Sequence, residues 1–230
     1  MTIELLCFDL DDTLWPCLPA ILHAEQTLYA WLQQHAPAVT RQYSLAGMRE
    51  HRRQFLHSNP HLQTDLSAAR RATLRDLCRR LALDDDWVEA AFQVYFHARQ
   101  QVRLFDDVPA VLDGLQQQYR MVSMSNGNAD IHLTGVAKWF EFHISAGQVG
   151  QAKPHPAMFD AVLQQAGVAA SRAVMVGDHP EHDIAGASGA GMRTVWVNRQ
   201  RLEAPACRPD AEIIDFSYLP DAIRQLEAKA

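Results

Sequence analysis

The sequence predicts an α/β protein, a parallel sheet covered by helices and interrupted after its first strand by an α-helical insert. Three observations carry this. A short apolar run, Ile3–Phe8, stops abruptly at Asp9. Four helix-patterned stretches then follow with no strand between them, and beyond Arg103 strand-like and helix-like stretches alternate to the end. A βαβα rhythm implies a parallel sheet with both faces buried. The expected division is a core from residues 1–15 and 102–230 and a helical cap domain from residues 16–101.

Each element has its own signal. Ile3–Phe8 is too short for a helix and reads as a buried strand. Pro16 and Pro19 break the chain, and from Ala20 the residues Ile21, Ala24, Leu28, Trp31 and Leu32 recur on one helical face until His35-Ala36-Pro37. A second helix is expected over Arg41–His57, ending near Asn59-Pro60. A third spans Asp65–Leu81, with Leu66, Ala69, Leu77 and Leu81 inward and Arg70, Arg71, Arg75, Arg79 and Arg80 around the rest. Behind Asp84-Asp85-Asp86, two i, i+4 rows (Trp87, Ala91, Tyr95 and Val88, Phe92, Phe96) mark the fourth. Asp106-Asp107-Val108-Pro109 opens a helix over Ala110–Gln118. The remaining strands are expected at Arg120–Met124, Phe142–Ile144, Ala173–Val176, Thr194–Val197 and Ala211–Ile214, and the helices at Ala129–Ala137, His155–Ala166, Asp183–Ser188 and Leu219–Ala228.

Composition excludes several classes. Of the 230 residues 48% are hydrophobic and 21% charged, as in a globular chain with a sizeable core. No apolar run approaches the ~20 residues that span a bilayer, and Met1–Glu4 opens no secretory signal. The expectation is a cytoplasmic protein, because Cys7, Cys17, Cys78 and Cys207 lie far apart without a CxxC pair. The net charge of −6 gives no pull towards nucleic acid or anionic lipid. Charge is nevertheless uneven: residues 15–100 hold 10 arginines, no lysine and 8 acids.

In open α/β sheets, ligands bind beyond the carboxyl ends of the strands. Those ends carry Asp9-Leu10-Asp11-Asp12-Thr13, Ser125-Asn126-Gly127-Asn128, and Gly177-Asp178 with Asp183 following; Lys153-Pro154 precedes a helix. Carboxylate oxygens suit Mg²⁺ together with substrate phosphate, while a lysine and a hydroxyl suit the phosphate itself. His179 and His182 lack the cysteine pair or HExxH helix of a zinc site.

At these residues the chain resembles the haloacid dehalogenase-like hydrolase superfamily, in the helical-cap branch, and in particular its bacterial flavin mononucleotide (FMN) phosphatases. The resemblance implies a Rossmann-like core and a Mg²⁺-dependent phosphatase acting on a small-molecule phosphate ester, FMN or nucleotide-like, with no nucleic-acid or membrane partner. It implies that Asp9 is the nucleophile forming an aspartyl phosphate and that Asp11 is general acid, then base. Asp9, the Asp11 main-chain carbonyl and Asp178 would hold Mg²⁺, with Asp183 in support. Ser125, the Asn126 N–H and Lys153 would grip the phosphoryl oxygens. Asp12, where relatives often have Gly, is a turn residue in this reading, and Thr13 makes a local hydrogen bond. The competing readings are a haloacid dehalogenase, a sugar-phosphate mutase and a catalytically silent binding module. Dehalogenation needs no acid at Asp11. Phosphonate cleavage would want a cap lysine, and none is present over residues 15–100. Arg41, Arg49, His51, Arg52 and Arg53 are candidate substrate contacts. Trp15 and Trp31 are either core residues or stacking platforms.

Overall fold

A computed structural model describes residues 2–203 and 206–228, and the chain divides into two compact units, 1–16 with 103–230 and 17–102. In the first unit the described residues form a six-stranded parallel sheet, in the spatial order β3 (His143–Ser145), β2 (Arg120–Ser125), β1 (Leu5–Phe8), β4 (Ala173–Gly177), β5 (Arg193–Val197), β6 (Ala211–Ile213). Its first strand is β1 (Leu5–Phe8), every residue of which is buried. The central position of β1 explains its unbroken apolar run: it pairs with β2 on one side and β4 on the other.

The second unit is entirely helical among its described residues. It comprises α1 (Cys17–His35), α2 (Pro37–Gln42), α3 (Leu45–Ser58), α4 (Leu66–Leu81) and α5 (Val88–Arg99). Ala24, Leu28, Leu32, Leu74, Leu77 and Phe92 share its core. Several boundaries depart from the sequence expectation. The single helix expected over Arg41–His57 is two: Pro37 starts α2, Tyr43 is extended, and the Ser44 hydroxyl accepts from the Gly47 N–H to begin α3. Asp84-Asp85-Asp86 caps nothing; α5 begins after Trp87 with no side-chain cap. Leu66, expected inward, is exposed, whereas Arg70, expected outward, is buried. Burial of Arg70 is offset by its guanidinium lying 3.8 Å from the centroid of the Tyr95 ring.

The first unit resumes with α6 (Val108–Leu115), shorter than the stretch expected to Gln118. Asp107 does not cap α6 but takes a bidentate pair from Arg199, at 2.8 and 3.0 Å, and the Phe216 N–H. Then come β2 (Arg120–Ser125), β3 (His143–Ser145), α7 (Ala146–Val149), α8 (Pro156–Ala166) and β4 (Ala173–Gly177). An irregular wide helical segment over Pro180–Ala185 leads into α9 (Gly186–Gly189), followed by β5 (Arg193–Val197), β6 (Ala211–Ile213) and α10 (Leu219–Ala228). The helix expected over Ala129–Ala137 is absent. The Asp130 carboxylate accepts from the N–H groups of His132 and Leu133, making a side-chain turn, and Gly135 sits at a φ of +80°. No helix among the described residues is long and apolar enough to cross a membrane.

One half-buried group on β3 should make stability pH-dependent. His143 Nδ1 lies 2.9 Å from Ser123 Oγ, and its buried Nε2 has no partner among the described residues. Burial pushes the imidazole down from 6.5 to about 4. Below pH 6.5 the unfolded chain therefore takes a proton that the folded chain refuses until about pH 4. Lowering the pH from 7 to 5 should cost about 2 kcal/mol through this group. Urea midpoints at the two pH values should fall further for the wild type than for His143→Asn; equal falls would contradict the assignment.

Candidate active site

The order β3-β2-β1-β4 makes β1 the strand at which the connections reverse direction, so its carboxyl end lies between those of β2 and β4, the place where sheets of this kind bind ligands. Asp9 follows β1, Ser125 ends β2, and Asp178 follows β4. Carboxylate oxygens of Asp9, Asp178 and Asp183 lie within 4.8 Å of one another. Lys153, 3% exposed, places Nζ 2.6 Å from Asp9 Oδ1 and 2.6 Å from Asp183 Oδ1, and also donates to the Met124 carbonyl at 3.3 Å.

Three carboxylates against one ammonium leave an excess of negative charge in a buried place. Burial pushes the Asp9 carboxyl well above its ordinary range; Lys153 opposes this, and the charges of Asp183 and Asp178 add to it. Asp178 is pushed up to about 7 by burial and by Asp183, with the Thr13 hydroxyl opposing. Burial alone would depress Lys153, but Asp183 and Asp9 hold it above the usual lysine value, so the ammonium stays protonated. Such an all-oxygen set with surplus charge has the chemistry of a hard divalent cation site.

The carboxylate of Asp11 is held apart from this cluster. It accepts from the Trp15 indole N–H at 2.8 Å. It also faces the turn after β2: a Cβ on Gly127 would lie 2.7 Å from Asp11 Oδ2 and 3.1 Å from Ser125 Oγ, so this turn admits only glycine without a shift. The Gly127 N–H donates to Ser125 Oγ at 2.8 Å. Asp12 occupies the left-handed region at a φ of 60°, the turn that sends the chain back towards Trp15, whose carbonyl accepts the Asp12 N–H.

Several supports were not legible as such. The Thr13 hydroxyl, expected to bond locally, donates instead to Asp178 Oδ1 at 3.0 Å and so ties the end of β1 to the end of β4. Asn126 uses its side-chain amide as a clamp, accepting from the Lys153 N–H at 2.7 Å and donating to the Lys153 carbonyl at 2.9 Å. Trp15 is fully buried and serves Asp11 through its N–H rather than as a stacking platform. Its one sequence signal is an indole four residues beyond an acid at a strand end. Asp183 is held by Lys153 and by the His179 N–H at 3.0 Å, not by its neighbour His182. His179 Nδ1 accepts from the N–H groups of Glu181 and His182, and the two imidazoles stack at 3.7 Å. The Asp183 carboxylate fills the space that a Cβ on residue 177 would need, which accounts for Gly177.

Carboxylates, a lysine and a serine gathered at the switch point of a parallel sheet make this the candidate active site. The model of the haloacid dehalogenase-like hydrolase family matches residues 3–191, and this chain belongs to that family. The "5-amino-6-(5-phospho-D-ribitylamino)uracil phosphatase YigB" of Escherichia coli is 28% identical over 199 residues, covering 85% of this chain and 83% of its own. The phosphoserine phosphatase of Thermus thermophilus is 30% identical over 251 residues, covering 96% and 100%. Among solved structures, a 2-haloacid dehalogenase from Pseudomonas syringae pv. Tomato superposes with a TM-score of 0.90 at 40% identity, over 97% of this chain and 99% of that one.

Proposed function

We propose that the chain is a Mg²⁺-dependent phosphatase that hydrolyses a small-molecule phosphate monoester, FMN or nucleotide-like, through an aspartyl phosphate on Asp9. The observation that carries this is Asp11: a carboxylate fixed by Trp15, two residues beyond Asp9 and outside the carboxylate cluster. An alkoxide leaving a phosphate ester needs a proton, whereas a departing halide does not.

Asp9 attacks phosphorus and the ester oxygen leaves with the Asp11 proton. Asp11 then takes a proton from the water that cleaves the acyl phosphate, releasing inorganic phosphate and restoring Asp9. Lys153, beside Asp9, meets the charge of the transferring group, while Ser125 Oγ and the Asn126 N–H hold its oxygens. The Asn126 clamp on the Lys153 main chain keeps this grip in place. Asp9, Asp178 and the Asp11 carbonyl would hold Mg²⁺, with Asp183 steadying the set. When bound, the ion neutralises phosphate charge as a Lewis acid. The helical unit would act as the cap that selects the body of the substrate. The preference for a nucleotide-like body is supported by the relatives' names, a phosphoribitylaminouracil phosphatase and, over 31% of this chain and 32% of its own, a pyrimidine 5'-nucleotidase of E. coli that is 42% identical over 73 residues.

Phosphate release from FMN, nucleoside monophosphates and small sugar phosphates tests the reading, with Mg²⁺ and with chelator. Activity should vanish in chelator, and Asp11→Asn should lose on the order of 10²–10⁴ in turnover. Full turnover without metal would overturn the proposal. The second reading, dehalogenation at carbon, is favoured by the Pseudomonas structure. It predicts halide release from a 2-haloacid on the same preparation, insensitive to chelator and to Asp11→Asn.

A further inference from the structure

Trp15 and Trp196 are among the largest fully buried side chains. A buried indole N–H needs an acceptor, because a donor left unmade in the interior is costly. Trp15 finds the Asp11 carboxylate. Trp196, on β5, donates instead to the main-chain carbonyl of Asp178 at 2.8 Å.

That bond falls where β4 has run out. Trp196 is the register partner of Gly177, the last residue of β4. One residue further on, the Asp178 carbonyl has left the strand, and the Trp196 indole supplies its donor. The carboxylate of the same residue is tied from another direction, by the Thr13 hydroxyl at 3.0 Å from Oδ1. Asp178 is thus held by its main chain from β5 and by its side chain from the turn after β1.

Such tethering meets a physical need. Asp178 is half-buried, and carboxylate oxygens of Asp9, Asp178 and Asp183 lie within 4.8 Å of one another. Like charges at that range repel, and a half-buried carboxylate relieves the repulsion by turning towards water. The Lys153 ammonium lies on Asp9 and Asp183; Thr13 and Trp196 are the groups that steady Asp178. We infer that Trp196 is a positioning residue for the cation site, whose indole N–H fixes the Asp178 main chain and so keeps the carboxylate beside Asp9. The inference rests on Asp178 being a ligand of Mg²⁺, as proposed above. Groups that orient a metal ligand from behind set its affinity, and losing one weakens binding by about 10–100-fold.

Two substitutions separate the N–H from the bulk of the ring. Trp196→Phe keeps an aromatic ring in the core and loses the donor. Trp196→His loses more bulk, but its Nε2 stands at the same bond separation from Cβ as the indole nitrogen and carries an N–H in one neutral tautomer. The metal-stripped full chain is unfolded in urea at increasing Mg²⁺, and the midpoint rises as the folded chain binds the ion. Trp196→His should need the same Mg²⁺ concentration as wild type for a given rise, although it starts from a lower midpoint in chelator. Trp196→Phe should need about 10–100-fold more. A merely structural role lowers the midpoint in chelator and leaves the Mg²⁺ dependence unchanged. That result for Trp196→Phe, or a Mg²⁺ dependence as weak in Trp196→His as in Trp196→Phe, overturns the inference. If Trp196→Phe does not fold, Trp196→His decides: wild-type Mg²⁺ dependence upholds the role of the N–H, and a weakened one overturns it. A wild-type midpoint that Mg²⁺ does not move overturns the cation site itself, a failure of the proposed function and not of Trp196 alone.

Discussion

Asp9→Asn should abolish phosphate release, by on the order of 10⁴-fold or more in turnover, while leaving the far-ultraviolet circular dichroism unchanged. The amide is isosteric but does not attack phosphorus at a useful rate. The fold should survive because the substitution removes one of three crowded carboxylates and keeps an acceptor oxygen for the Lys153 ammonium, now 2.6 Å from Asp9 Oδ1. Burial and the neighbouring acids already oppose ionisation at this position. The neutral residue should therefore be tolerated or even stabilising without metal. Retention of wild-type turnover would show that the phosphoryl group is taken elsewhere.

The largest effect on stability is expected at Lys153→Met. Lys153 is the ammonium that joins Asp9 to Asp183, with both contacts at 2.6 Å and its side chain 2% exposed. Removing one partner of a buried ion pair leaves uncompensated charge and costs about 3–5 kcal/mol. The variant should unfold at clearly lower urea concentration than the wild type in chelator. It should recover part of the difference in Mg²⁺, because a cation bound by the folded chain replaces the lost positive charge and stabilises by mass action. Unchanged stability in chelator would mean that the carboxylates accommodate one another by taking up protons, and that Lys153 is not the element holding them.

The sheet was legible because its strands are short apolar runs that end abruptly in polar residues at Asp9, Ser125 and Asp178. That pattern follows from central strands buried on both faces, whose carboxyl ends alone meet the crevice. Tertiary supports left no such mark. Thr13 bonding Asp178 and Asn126 clamping Lys153 join residues distant in sequence, which periodicity does not connect. Helix boundaries failed where a side chain outbid the helix: at Ser44, which starts a new helix, and at Asp130, which folds the chain into a turn. Arg70 was placed outward because a charge on a helix is ordinarily solvated. In the structure Tyr95 and Glu25 hold it inside.

The central claim, that Asp9 is phosphorylated on the way to product, is tested most directly by trapping the phosphorylated chain. A single turnover with enzyme in excess over a ³²P-labelled phosphate monoester, quenched in acid at short times, keeps an acyl phosphate on the protein. The account predicts transient label on the peptide containing Asp9, released by hydroxylamine and absent in Asp9→Asn. Release of labelled phosphate with no label on the protein at any quench time, or label that persists in Asp9→Asn, would contradict it.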